Sequence, residues 1–440
     1  MLRGLTLAAL LGLAVLPGPA AEPDAGRRVA FDPAGQRFDS DVSGRLAASV
    51  YSLPSFFFDA PAAEPFLAAV RAASPERTLI VLTDDPLKTR LAARRDLRLT
   101  LVDTHGRAFS PWPRDPMSLT HAKDGGVRVL VRPNLQTGRE EDAYLGPELV
   151  SGLPAEIDRA WGKVTWAEAP VPFHNGQVLL TGDAAWVTLH ALEPSILKLL
   201  SLARVPVETF NAAPGIDRYV EAAGKAAGGL SALYGRPVRF VHPLPAKGSG
   251  DAALMRAIGG GAGYDLDSIV TFLPLPKGKM AALVADVSRG RDLLAKATAD
   301  DLASLERGYG LGISREALTA AQRTPALDAL DGFLDLTAGH LAAQGFEVRR
   351  LPILAVPVAL LRDHEGLTHR EFYLTWNNVV VETRKDGVRA EGFASLLPSG
   401  DREALETFKA LGARLDLFPP LVRSVILNGG YRCASNHVRG

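Results

Sequence analysis

The sequence predicts an α/β fold, and three observations carry that reading. Short apolar runs of strand type alternate with longer stretches of helical spacing, and the ends of the runs feed polar loops. No Pro/Ser-rich linker or low-complexity tract interrupts the alternation, which favours one large domain over two. Finally, 47% of the 440 residues are apolar, while one cysteine, Cys433, cannot form an intramolecular disulfide, so a hydrophobic core must hold the fold.

Taken in order, the chain opens on Met1-Leu2-Arg3, an apolar run from Leu5 to Leu16, and Gly18-Pro19-Ala20-Ala21. This is the layout of a secretory signal peptide, so residues 1–21 are expected to direct export to the periplasm or beyond, and residues 22–440 to form the mature domain. No later apolar run approaches the ~20 residues of a membrane span. The 49 basic and 49 acidic residues balance, which argues against nucleic acid or a membrane surface as partner.

Residues 26–58 read as an irregular opening segment ending in the aromatic run Phe56-Phe57-Phe58, expected in the core. Ala62 to Ala73 has helical spacing, Thr78 to Thr83 is a buried-type strand, and Asp84-Asp85-Pro86 starts a helix with proline where no amide donor is needed. A strand from Leu97 to Thr104 then leads to Ser110-Pro111-Trp112-Pro113-Arg114-Asp115-Pro116. Strands follow at Val127–Val131 and Lys163–Trp166, with a short helix at Pro147–Leu153 between them, and Gln177 to Thr188 reads as a hairpin about Gly182-Asp183. A helix over Ile216–Tyr234 precedes a strand at Val238–Val241. Ile269–Leu273 and Ala281–Val284 read as paired strands, Asp292–Gly308 and Arg315–Gln344 as helical, and Glu347–Pro352 as a strand. Glu371–Glu382 reads as one long strand containing Asn377-Asn378, and Arg402–Leu411 as a helix.

Two tempting motifs fail. The glycine run 259–263 lacks the Lys-Ser or Lys-Thr of a phosphate loop and reads as a mobile loop, and His369 comes one residue too late after His364-Glu365 for a zinc-binding helix. The stretch Leu427 to His437 is more promising. Gly429 and Gly430 allow a tight, close-approaching backbone, and Arg432 beside Cys433 would favour thiolate. The competing reading makes Cys433 a small buried hydrophobe.

Four stretches, in order, resemble one family. Trp112-Pro113-Arg114-Asp115-Pro116, Phe173 to Leu179, Asp265-Leu266-Asp267 before a strand, and Asn428 to Ser435 are similar to the site loops of the guanidino-modifying (pentein) superfamily, of the agmatine deiminase and bacterial peptidylarginine deiminase type. Tyr373 to Asn378 is similar to its penultimate strand. The resemblance implies a five-bladed ring of ββαβ units around a central site. It further implies an exported cysteine hydrolase acting on peptidyl-arginine or a small arginine derivative, with no step that uses a cofactor or a metal. Asp115 and Asp267 match the carboxylates that grip the planar cation by paired hydrogen bonds, with Trp112 and Arg114 beside them, and Cys433 matches the nucleophile.

The departures matter as much. Asp265 stands where the family has its acid/base histidine, and His174 stands where it has an acidic residue, so His174 becomes the first candidate for the acid, with His437 and Asp265 behind it. With Asp115, Asp265 and Asp267 facing one pocket, one carboxyl is expected to hold a proton and the pocket to prefer a cation. The alternative is a catalytically silent pentein-fold protein that binds a cationic ligand or a partner protein.

Overall fold

The structure is a computed structural model that describes residues 27–123, 128–133, 142, 145, 150, 164–202, 213–312, 315–362, 367 and 369–439. The expected signal peptide, His364-Glu365, and all of the expected helix 147–153 except Val150 lie outside those residues. Among the described residues, no helix is long and apolar enough to cross a membrane.

Helices and strands alternate as expected for a mixed α/β chain, and the described strands form five sheets of three or four strands. Each sheet contains an antiparallel pair followed by a parallel neighbour reached across a longer connection. Ser118–Ala122, Arg128–Arg132 and Val164–Glu168 form one such set, with Gln36–Phe38 added at its edge. Val178–Leu180, Ala185–Val187 and Val238–Phe240 form the next, its crossover containing the helices Glu193–Leu202 and Ala213–Tyr234. Val270–Pro274, Met280–Asp286 and Glu347–Pro357 form the third, extended by Glu371–Thr375. Val380–Arg384, Gly387–Phe393 and Ala413–Phe418 form the fourth, crossed by the helix Pro398–Ala410. The fifth is closed by the two ends of the chain: Ser435–Arg439 pairs antiparallel with Leu46–Leu53, which runs parallel to Thr78–Thr83, itself parallel to Leu99–Asp103. That closure brings the cysteine-bearing stretch, which directly precedes Ser435, inside.

Several expectations are corrected. The opening segment contains Gln36–Phe38 and the central strand Leu46–Leu53, whose Ser49 and Ser52 are fully buried and hide the apolar pattern. Phe56 is 52% exposed, so the aromatic run is only partly core. The long strand breaks into Glu371–Thr375 and Val380–Arg384, in different sheets, because the chain turns at Asn377-Asn378 with the Val379 amide donating to Asn377 O at 2.8 Å. Both long helical stretches are split. Thr298 forms a reciprocal capping box with Asp301 at the start of Ala299–Tyr309, and Thr324 caps Pro325–Ala343 with proline in its first turn. The glycine run is packed, not loose: a Cβ on Gly260 would lie 2.1 Å from Ala329 O, and one on Gly261 2.5 Å from the Phe333 ring. The strand Thr78–Thr83 and the hairpin at 182–183 form as expected.

Candidate functional site

Five loops supply the site. The segment 110–116 follows the strand Leu99–Asp103. It is fixed by Ser52 Oγ donating to Ser110 O at 2.6 Å and by the Ser110 amide donating to Asp142 Oδ1 at 2.7 Å. The turn Asn175–Gln177 is tied to it through Asn175 Nδ2, which donates to Arg114 O at 2.7 Å and Met117 O at 3.0 Å. Asp265 and Asp267 sit at the start of the one-turn helix Leu266–Ile269, directly before its strand. The turn at 377–378 and the loop 427–434 complete the set.

Cys433 is buried, with its sulfur 3.8 Å from Asp267 Oδ2 and Asn378 Nδ2 donating to it at 3.1 Å. One ligating atom each of Asp265, Asp267 and Cys433 fall within 4.8 Å of one another. Asn378 is the hub. Its Oδ1 accepts from the amides of Arg432 (2.7 Å) and Cys433 (3.2 Å), while its Nδ2 also donates to Asp267 Oδ1 at 3.0 Å. Close backbone approach makes this possible: a Cβ on Gly430 would meet Asn378 at 2.5 Å, and one on Gly429 would meet Trp112 Nε1 at 1.8 Å. Trp112 is thus buried packing behind the loop.

Arg432 does not act as its position beside the sulfur suggested. Its Nη1 donates to Asp267 Oδ2 at 2.5 Å, and its Nη2 donates to Val178 O at 3.0 Å and lies 3.1 Å from Asp41 Oδ2. Asp41 also receives Arg114 Nη2 at 2.5 Å and the Leu180 amide at 2.7 Å. Burial alone would raise the Asp41 carboxyl, but Arg114 and Arg432 outweigh it and hold the group well below the usual carboxylate range. Arg114 is therefore engaged with Asp41 instead of facing a ligand. For Cys433, burial and then Asp267 and Asp265 push the thiol well above its ordinary value, against the smaller opposing pull of Asn378 and Arg432, the opposite direction to the one expected from Arg432. Burial also pushes Asp267 up to about 6, with Asp265 adding to the rise and Arg432 opposing it.

On the other side, His174 stands between two carboxylates, with Nε2 3.7 Å from Asp115 Oδ1 and Nδ1 4.0 Å from Asp265 Oδ1. Its side chain is 38% exposed, whereas Asp115 is buried. Asp265 Oδ1 accepts Gln177 Nε2 at 2.7 Å, and a Cβ on Gly176 would press on both Asp265 and His174. Asp265, Asn378, Gly429 and Gly430 also border a cavity of about 100 Å3 walled by Tyr264 and Tyr373. His437 is elsewhere, buried between Ser49 and Ser435. Asp265, Asp267 and Cys433 could together offer a cation two carboxylate oxygens and a sulfur, but Arg432 already supplies positive charge to Asp267.

Sequence reasoning named Cys433, Asp265, Asp267, Asp115 and His174 and missed Asn378 and Asp41 as site residues. Two adjacent asparagines in an apolar run, poor strand formers both, were a usable sign for Asn378. Asp41 carries no such sign.

No protein-family model and no curated protein matches the sequence. Solved structures do match the fold. Agmatine deiminase from C. jejuni superposes with a TM-score of 0.53 at 12% identity, covering 92% of this chain and 96% of that one. Agmatine deiminase of Enterococcus faecalis gives 0.53 at 14% identity, with the same coverage. A protein assigned as a peptidyl-arginine deiminase gives 0.53 at 12% identity, covering 92% and 99%. Nearly the whole chain thus shares the fold of these deiminases.

Proposed function

We propose that this protein is an exported cysteine hydrolase of deiminase type, acting on the guanidinium carbon of peptidyl-arginine or a small arginine derivative. The observation that supports it most is the Cys433 sulfur, 3.8 Å from Asp267, bonded by Asn378 and grouped with Asp265 in the fold of agmatine deiminases. The five sheets are read as the blades of one ring-shaped domain over residues 22–440, with its first blade closed by the chain's last strand, and residues 1–21 as the export signal.

In this reading a guanidinium enters on the His174 side and is held by Asp115 and Asp265. Its positive charge beside Cys433 offsets the carboxylates that keep the thiol protonated, so a thiolate forms as the ligand binds and its proton passes by way of Asp265 to His174. Sulfur adds to the guanidinium carbon, His174 returns that proton to the leaving amino group, and the carbon–nitrogen bond breaks to release ammonia. Water then adds to the same carbon and displaces the sulfur, so that guanidine and water become ureido product and ammonium. No cofactor is used.

One observation favours a second reading, a silent protein that binds a cationic ligand or partner: Arg432 already occupies an oxygen of Asp267 that the ligand was expected to hold. Ammonia and ureido product release from free arginine, agmatine and arginine-containing peptides separates the two. Wild type should release both from at least one compound, with Cys433→Ala at background and His174→Ala reduced ~100-fold. Wild type at background on every compound would establish the binding reading in its place.

A further inference from the structure

A second group of buried polar side chains surrounds the base of the cysteine loop without touching the sulfur. Arg77, on the approach to the strand Thr78–Thr83, donates from Nη1 to Glu391 Oε2 at 2.6 Å and from Nη2 to Glu391 Oε1 at 2.7 Å. Tyr431 Oη donates to the same Glu391 Oε2 at 2.9 Å. Ser435 Oγ donates to the backbone oxygen of Tyr431 at 2.6 Å, His437 Nε2 lies 2.8 Å from Ser435 Oγ, and His437 Nδ1 lies 2.9 Å from Ser49 Oγ. Arg77 Nη1 reaches Ser49 Oγ at 3.4 Å and closes the circuit. All six residues are buried, and four of them are wholly so.

The donors can be assigned around the circuit. An arginine can only donate, so Ser49 Oγ accepts from Arg77 and turns its own proton to His437 Nδ1. Ser435 donates to Tyr431 O, so its oxygen accepts from His437 Nε2–H. Donation therefore runs outward from Arg77 in both directions and ends on Glu391 and on the Tyr431 carbonyl. Neutral His437 with its proton on Nε2 fits this circuit. Burial and the surrounding cations Arg77, Arg439, Arg114 and Arg432 likewise hold its basicity far below the ordinary histidine value.

We propose that this ring, with His437 as its fixed Nε2–H link, positions Cys433 by clamping the chain on both sides of it, at Tyr431 and at Ser435. His437, considered above as a possible acid, is thus a positioning residue. The proposal rests on the hydrolase reading only for its consequence in turnover; the geometry and its test need no substrate. A clamped loop keeps the sulfur seated against Asn378 and Asp267, and a loop freed at Ser435 exposes it to small electrophiles.

The test has two arms on the full-length protein. Nitrogen-15 NMR of histidine-labelled wild type, with His437 assigned by loss of its signals in His437→Gln, should show a neutral Nε2–H ring that does not titrate from pH 5 to 9. In the second arm, alkylation of Cys433 by iodoacetamide at pH 8 should be at least tenfold faster in Ser435→Ala and in Tyr431→Phe than in wild type. Thr83→Val, which removes a comparable buried hydroxyl that donates to Leu53 O outside the ring, should change the rate less than twofold. A His437 that titrates in that range or carries its proton on Nδ1 would overturn the proposal even if the variants fail to fold. So would Ser435→Ala reacting no faster than Thr83→Val.

Discussion

The two flanks of Cys433 differ in the spacing of their ion pairs. On one side Asp267, Arg432, Asp41 and Arg114 form a largely buried chain with contacts of 2.5 to 3.1 Å, two carboxylates against two guanidiniums. On the other, His174 faces Asp115 and Asp265 across 3.7 and 4.0 Å, beyond hydrogen-bond length, with its ring partly in solvent. The first flank is already neutralised from within and costs a great deal to open. The second is looser in its His174 contacts, though Asp265 Oδ1 there accepts Gln177 Nε2 at 2.7 Å.

Breaking the closed flank should have the largest effect. Asp41→Asn keeps the shape but leaves Arg114 and Arg432 without their shared anion, and urea unfolding at pH 7 should show a loss of about 3–5 kcal/mol. Next comes pH. The Asp267 carboxyl, raised to about 6 from an ordinary 3.8, binds protons more tightly folded than unfolded, so its contribution is full below the unfolded value and is lost as pH rises through 6. The stability of wild type relative to Asp267→Asn should therefore fall by about 3 kcal/mol between pH 3.5 and 7, in denaturation series at matched pH. Gly429→Ala, whose methyl would strike the Trp112 indole, should cost about 1–3 kcal/mol by the same measurement. Cys433→Ala should have the smallest effect, about 1 kcal/mol, since Asn378 Nδ2 keeps Asp267 Oδ1 as an acceptor.

The open flank was largely legible in the sequence, whereas the closed one was legible only at Asp267 and Arg114, which lie in matched loops. Asp115, His174, Asp265, Asp267 and Cys433 sit in short motifs whose order and residue types could be matched loop by loop. The role of Arg432 could not be read that way. Its adjacency to Cys433 suggested a promoted thiolate, but its partners Asp41 and Asp267 are distant in sequence, and Asp41 lies in a segment with no helical or strand period. Asn378 was hidden inside a run that read as one strand, and the ring through His437 depends on Ser49 and Arg77, ordinary letters until the last strand pairs with Leu46–Leu53. Among the elements, apolar strands such as Thr78–Thr83 were readable because burial on both faces leaves an unbroken apolar run. The strand Leu46–Leu53 was not, because its buried serines serve the polar network.

In the proposed reaction the Cys433 sulfur attacks the guanidinium carbon of a bound ligand. Incubating the protein with an active guanidino compound, quenching in acid within one turnover, and weighing the peptide that contains Cys433 tests it most directly. An added mass on Cys433 equal to the compound less ammonia is expected, absent from Cys433→Ala and accumulating in a variant slowed in the water step. Turnover of the compound with the Cys433 peptide unmodified, or equal turnover by Cys433→Ala, would contradict it.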